Sequence, residues 1–245
     1  MILGIDIGSC YSKVSVVVDG EYQPGFVEEC GEKGIPSILA IDQGRYIIGK
    51  QCCTDNHLLN CATIIKEFKT NARKNINDTV PNTDITYAKV IEEFIRYLIK
   101  LAQDSAENVG IDKSIESITV TSPASGIDSY ASMAEYNNFL CNAVMDITGL
   151  SEDEIHIIDE PTAAAIAYLY DKKNNLSSNS SWTVFVFDLG GSSLDLCVVK
   201  YDGTCNTYFG IDLTSDLIGT LQWDKKLIDK VWTDLGHPDF KDNSK

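Results

Sequence analysis

One self-match restricts how this chain can fold more than any other feature. Ile5-Asp6-Ile7-Gly8-Ser9-Cys10 lies over Phe187-Asp188-Leu189-Gly190-Gly191-Ser192 at an offset of 182 residues, and Val16-Val17 then falls on Val198-Val199. In each copy an apolar run ends in Asp-apolar-Gly, small residues make a turn, and a second β-branched run returns, which is the pattern of strand–turn–strand. A single Asp-x-Gly reads as an ordinary hairpin. Two copies with matching flanks call for a fold that uses the unit twice.

The residue types in the two turns suit phosphate. Glycines let backbone N–H groups face an anion with no Cβ in the way, and the hydroxyls of Ser9, Ser192 and Ser193 add donors. Asp6 and Asp188, at the strand ends, offer hard oxygens to Mg²⁺, directly or through its waters. Asp195 sits amid Leu194, Leu196, Val198 and Val199. Alternation could turn it to solvent. An acid in an apolar strand is expensive unless it is paired or near a metal, so a place around the metal is preferred.

A third element is Ile157-Ile158-Asp159-Glu160-Pro161-Thr162-Ala163-Ala164-Ala165-Ile166-Ala167-Tyr168. Proline suits the first helical position, so Glu160 stands at a helix start just past a strand's carboxyl end, where ligands of α/β sheets gather. A carboxylate there can orient or activate a water near a terminal phosphate. Its simpler role is to cap the helix.

Around these motifs strands and helices alternate, as in an α/β protein. Strands are expected at Ile2–Ile7, Ser12–Val18, Ile35–Ile41, Arg45–Ile48, Ser117–Thr121, Ile155–Ile158, Thr183–Asp188 and Leu194–Lys200. Helical spacing of apolar residues predicts helices over Thr86–Asn108, Ser129–Thr148, Pro161–Tyr170 and Leu221–Leu235. The polar run Lys172–Ser181 is the one linker candidate. The formal net charge of −16 disfavours nucleic acid and anionic membranes as partners. The eight cysteines include no Cys-x-x-Cys pair, and there is neither a secretory signal nor a membrane-length apolar run. The expectation is a reducing, cytoplasmic location.

With these residues in hand, the chain resembles the nucleotide-binding domain of the Hsp70 chaperones, within the actin-like ATPase superfamily. The run Asp159–Tyr168 is similar to that family's connecting motif, Phe185–Asp195 to its second phosphate motif and Leu3–Ser12 to its first. Ile35–Ile41 with Tyr46-Ile47-Ile48-Gly49 is similar to the segment after the first motif. The resemblance implies an actin-like ATPase (ribonuclease H-like) fold with duplicated lobes and ATP or ADP with Mg²⁺ in the cleft. It implies phosphate contacts from Gly8, Ser9, Cys10 and Tyr11 and from Gly190, Gly191, Ser192 and Ser193. Metal-associated carboxylates would be Asp6, Asp188 and Asp195, and catalytic residues Lys69, Glu160 and Asp188. For the lysine, Phe68-Lys69-Thr70 fits the family phrase with a one-residue shift, and Lys66 competes.

Lobe I is expected over 1–173, with its core at 1–36 and 112–173 and an inserted subdomain over about 37–111. A linker follows at 174–181 and the beginning of lobe II at 182–245, the second lobe being truncated. The chain stops short of the family's adenosine-contacting glycine motif and peptide-binding domain. Cochaperones and client polypeptides would engage through those absent parts. The sequence departs from the family at Cys10, where a threonine is usual, and at Ser192, where a third glycine is usual. Ser122-Pro123-Ala124-Ser125 lacks an aromatic, and Ile218-Gly219-Thr220-Leu221-Gln222-Trp223-Asp224 keeps only part of a Gly-Gly-acid pattern. An ATP hydrolase of Hsp70 type is the first expectation. An actin-like filament-forming ATPase, a sugar-kinase-type phosphotransferase and a non-catalytic interaction module that retains the fold are the alternatives.

Overall fold

The computed structural model describes residues 1–23, 27–29, 31–124, 130–172, 181–201, 209–212 and 219–234. Its first hairpin pairs β1 (Ile2–Asp6) antiparallel with β2 (Tyr11–Val18), setting Asp6 opposite Lys13. β3 (Glu21–Tyr22) follows on β2. The run Ile35–Ile41, expected as one strand, is two. β4 (Ile35–Pro36) pairs with β2, whereas β5 (Leu39–Asp42) joins β6 (Arg45–Ile48) in a separate sheet. The break falls where Pro36 has no N–H to give a ladder. There Ser37 N–H donates instead to the Cys10 carbonyl at 2.8 Å, and the buried Ser12 and Ser37 hydroxyls lie 2.9 Å apart.

Two short helices, α1 (Gln51–Thr54) and α2 (Asn56–Cys61), lead to β7 (Thr63–Ile65), which pairs with β5. Next come α3 (Phe68–Lys74) and the long α4 (Tyr87–Asn108), capped by the Thr86 hydroxyl. Parallel strands β8 (Ser117–Ser122) and β9 (Ile155–Asp159) extend the central sheet in the order β3-β2-β1-β8-β9, and α5 (Tyr130–Thr148) connects them. The sheet is therefore mixed. The main core lies between its Leu3, Ile5, Ile118 and Val120 face and the apolar stripes of α4 (Val90, Ile91, Phe94, Ile95, Leu98) and α5 (Tyr136, Leu140, Val144). The charged side of α4 faces outward, as helical spacing requires.

α6 (Glu160–Lys172) starts directly at the end of β9. The second hairpin pairs β10 (Trp182–Leu189) with β11 (Leu194–Tyr201), setting Asp188 opposite Asp195, and β12 (Phe209–Asp212) adds to β11. Ala165 of α6 packs on Cys197 and Val199, so this helix ties the central sheet to the second hairpin. The last helix, α7, covers Thr220–Asp234. The expected linker at 174–181 lies outside the described residues apart from Ser181, as do Ser129 and Leu235 at the ends of two expected helices. Among the described residues no helix is long and apolar enough to cross a membrane.

Candidate functional site

The two turns of the repeat share a backbone shape. A Cβ on Gly8 would run into the Tyr11 carbonyl, and one on Gly190 would touch that of Ser193, three residues on in each copy. The turns also face one another. Ser9 Oγ lies 2.7 Å from Ser192 Oγ, and Gly191 comes so near Cys10 that a Cβ there would overlap the sulfur. With no Cβ at Gly191, the two turns approach this closely without displacing the Cys10 side chain. Tyr11 opens β2 with an exposed side chain whose ring lies beside Gly34.

α7 supports the second turn, a role that sequence reasoning missed. The Thr220 and Leu221 N–H groups donate to the Gly190 and Gly191 carbonyls at 3.1 and 2.9 Å. Gln222 Oε1 accepts from the Gly219 N–H at 2.8 Å, and its Nε2 reaches the Ser192 carbonyl at 3.5 Å. Gly219 rests on the Gly191 peptide with no room for a Cβ. The partial Gly-Gly-acid pattern at Ile218–Asp224 was the available signal.

Beside the turns lies a buried ion pair. Glu67 takes a left-handed conformation (φ 52°) just before α3. This sharp entry accompanies Phe68 packing at a tilt against Phe94 in the core and Lys69, 4% exposed, reaching toward Glu160. Lys69 Nζ donates to Glu160 Oε1. Lys66 is exposed, so of the two competing lysines it is Lys69 that meets the carboxylates. Arg73, one turn further along α3, is also buried and was not singled out from sequence. Asp159 Oδ1 accepts from the Thr162 N–H at 2.8 Å. α6 is thus capped by Asp159 and begins at Glu160, one residue before the proline, and the carboxylate of Glu160 is left for Lys69.

Four acids crowd this point. Burial pushes the Glu160 carboxyl up; Lys69 opposes the shift, and the charges of Asp6 and Asp195 add to it. Asp188 is raised by burial and by Glu160 and Asp6, against Lys69 and Lys13. Burial raises Asp195 as well, against a hydrogen bond from Ser193 and the charge of Arg73. Asp195 is 3% exposed, which rules out its pointing to solvent. Its Oδ2 accepts from Ser193 Oγ at 2.9 Å, while its Oδ1 is buried with no partner among the described residues. Asp6 Oδ1 accepts from Thr121 Oγ1 at 2.8 Å.

This donor set fits a hard divalent cation: its donors are all oxygen, four carboxylates stand against Lys69, Arg73 and Lys13, and one buried carboxylate oxygen is unsatisfied among the described residues. Among the described residues no three acids, thiols or imidazoles close around one point as direct ligands.

A family model described as Hsp70 protein matches residues 96–245. The chain is 30% identical over 246 aligned positions to a chaperone protein DnaK of Mycoplasmoides gallisepticum, covering 97% of this chain and 37% of that protein. It is 28% identical over 231 positions to one of Halobacterium salinarum, with 94% and 33% covered. Against one of Thermus thermophilus it is 30% identical over 220 positions, with 81% and 32% covered. The chain spans about a third of the length of the curated relatives it matches.

Proposed function

The chain belongs to the Hsp70 family, and on that premise we propose that it is a cytoplasmic nucleotide-binding fragment of a chaperone ATPase. It comprises a first lobe with an inserted subdomain and the beginning of a duplicate lobe, on the actin-like ATPase fold. Its cleft binds ATP or ADP with Mg²⁺, and the complete protein hydrolyses ATP to move its lobes, engaging cochaperones and clients through parts beyond this chain. The observation that carries this reading is the pair of like-shaped turns held face to face by the Ser9–Ser192 hydroxyl contact. The buried Lys69–Glu160 pair adds the groups that phosphoryl transfer needs.

In this reading Gly8, Ser9, Cys10 and Tyr11 grip the phosphates from one side, and Gly190, Gly191, Ser192 and Ser193 from the other. Backbone amides and hydroxyls supply the donors. Asp6, Asp188 and Asp195 hold the hydrated cation, which when bound neutralises phosphate charge. Glu160 takes a proton from the attacking water. Burial raises its carboxyl toward neutrality, which improves it as a base over an ordinary carboxylate. Lys69 then turns from Glu160 to the charge developing on the transferred phosphoryl group.

Calorimetric titration with Mg·ATP and a phosphate-release assay test this, on this chain and on a longer form carrying the rest of the second lobe. The longer form binds and turns over ATP, and Asp188→Ala abolishes turnover. A longer form that neither binds nor hydrolyses ATP would refute the reading. Turnover that survives Asp188→Ala would remove the metal role of that residue alone.

A further inference from the structure

Asp6 ends β1, and a neighbouring strand holds its carboxylate in place. β8 lies between β1 and β9 in the central sheet and runs parallel to both. Ile118 and Val120 of β8, like Leu3 and Ile5 of β1, are buried in the main core. Alternation therefore turns Thr121 and Asp6 to the opposite face of the sheet. There Thr121 Oγ1 donates to Asp6 Oδ1 at 2.8 Å, across 115 residues of sequence.

This donor is well fixed. A β-branched side chain has few χ1 choices, and β8 is laddered on both sides, its pairing with β9 running through Thr121 itself. The hydroxyl has a single O–H to give, and a bond from it to an ionised carboxylate is stronger than one between neutral groups. Turning the carboxylate about its own axis breaks that bond, so Oδ2 also has a set direction. Asp195 is treated alike in the second hairpin, where Ser193 Oγ donates to its Oδ2 at 2.9 Å. There the donor belongs to the acid's own turn. For Asp6 it belongs to a strand outside the hairpin, held between two others.

We propose that Thr121 is a positioning residue for the divalent cation, acting only through Asp6. It aims the Asp6 carboxylate before the cation arrives, so less ordering is left to be done on binding. The proposal rests on the metal role given above to Asp6. Removing a group that orients a metal-associated ligand typically lowers metal affinity about 10–100-fold. The lower end of that range is expected here, because Asp188 and Asp195 remain.

The test titrates Mn²⁺, with ADP present, into the longer form that carries the rest of the second lobe. Electron paramagnetic resonance reads the bound ion. Thr121→Val keeps the side chain's outline and strand preference but has no O–H; it weakens Mn²⁺ binding about tenfold. Thr121→Ser keeps the O–H and recovers most of the affinity. Asp6→Asn weakens Mn²⁺ binding by itself, and adding Thr121→Val to it costs less than about a further twofold. A threonine that only supports the sheet would weaken both backgrounds alike. Should Thr121→Val fail to fold, as judged by circular dichroism, Thr121→Ala takes its place. Should Asp6→Asn bind too weakly to measure, the contrast between Thr121→Val and Thr121→Ser decides. Parent affinity in Thr121→Val, no recovery in Thr121→Ser, or equal losses in the two backgrounds overturns the proposal and leaves the metal role of Asp6 standing. Parent affinity in Asp6→Asn, or no Mn²⁺ binding by the parent, removes that role and this inference with it.

Discussion

Replacing Lys69 by methionine should destabilise the ligand-free chain in a way that depends on pH. The lysine side chain is 5% exposed and its partner Glu160 18% exposed. Removing one member of a buried ion pair costs about 3–5 kcal/mol, because the other charge is left uncompensated. Glu160 can relieve part of that by taking up a proton, and the lysine's own desolvation cost disappears. About 2–3 kcal/mol should remain at neutral pH, or roughly 5–10 °C in Tm for a chain of this length. Glu160 is already raised by burial, and Lys69 is the largest influence holding it down. Without Lys69 its folded pKa climbs further above the unfolded value. A group raised on folding withdraws stability as pH rises through the folded value, and costs nothing below the unfolded one. The deficit of Lys69→Met should therefore be small near about pH 4.5, the unfolded value, and grow as pH rises above it. Urea denaturation at several pH values measures this, and Lys69→Met/Glu160→Gln should recover at least half of the loss. An equal deficit at every pH, or a double variant no better than the single one, would refute the reasoning.

Asp188→Asn should raise the stability of the ligand-free chain by about 1 kcal/mol, since burial and the Glu160 and Asp6 charges all oppose its ionised form; thermal denaturation without divalent ions reads this, and a loss would contradict the assigned causes. Gly219→Ala should cost about 1–3 kcal/mol in urea melts, because the added Cβ meets the Gly191 peptide and not a yielding side chain. Cys10, whose thiol is pushed up by burial and by Glu67 and Asp224, should alkylate with iodoacetamide at neutral pH about tenfold more slowly than exposed Cys53. A mass-spectrometric time course that shows Cys10 reacting first would contradict this.

The parts of the site written into short stretches were readable from sequence. The Asp-x-Gly turns announce themselves because residue type and spacing recur, and the matching Gly8–Tyr11 and Gly190–Ser193 contacts are their three-dimensional counterpart. The lysine could not be chosen from spacing. It depends on a positive φ at Glu67, a residue with no sequence mark of that conformation. Arg73 was hidden for a related reason, since α3 is too short for a hydrophobic period to reveal its inward face. The Ile35–Ile41 run looked continuous because its apolar residues are continuous. The two halves serve different sheets, and only the missing N–H of Pro36 hinted at the break. Proline at the first helical position is a preference, and Asp159 supplies the stronger signal by accepting from the Thr162 N–H, so the helix starts one residue before the proline.

The charge distribution joins these pieces into one physical statement about the cleft. Glu160, Asp188 and Asp195 are each displaced upward, and in each case burial is the first cause. The cations that oppose the shifts are Lys69, Arg73 and Lys13, and Lys69 alone acts on all three acids. The large core between the central sheet and α4 and α5 supplies the burial that holds such a cluster together. A cation entering that point lowers the cost of every carboxylate at once, so its binding and the chain's stability must be linked. At a ligand concentration of a hundred times Kd that linkage is worth about 2.7 kcal/mol. The acids are therefore poor choices for stability and good ones for holding charge that arrives from outside. That contrast separates this pair of hairpins from two turns that merely reverse the chain.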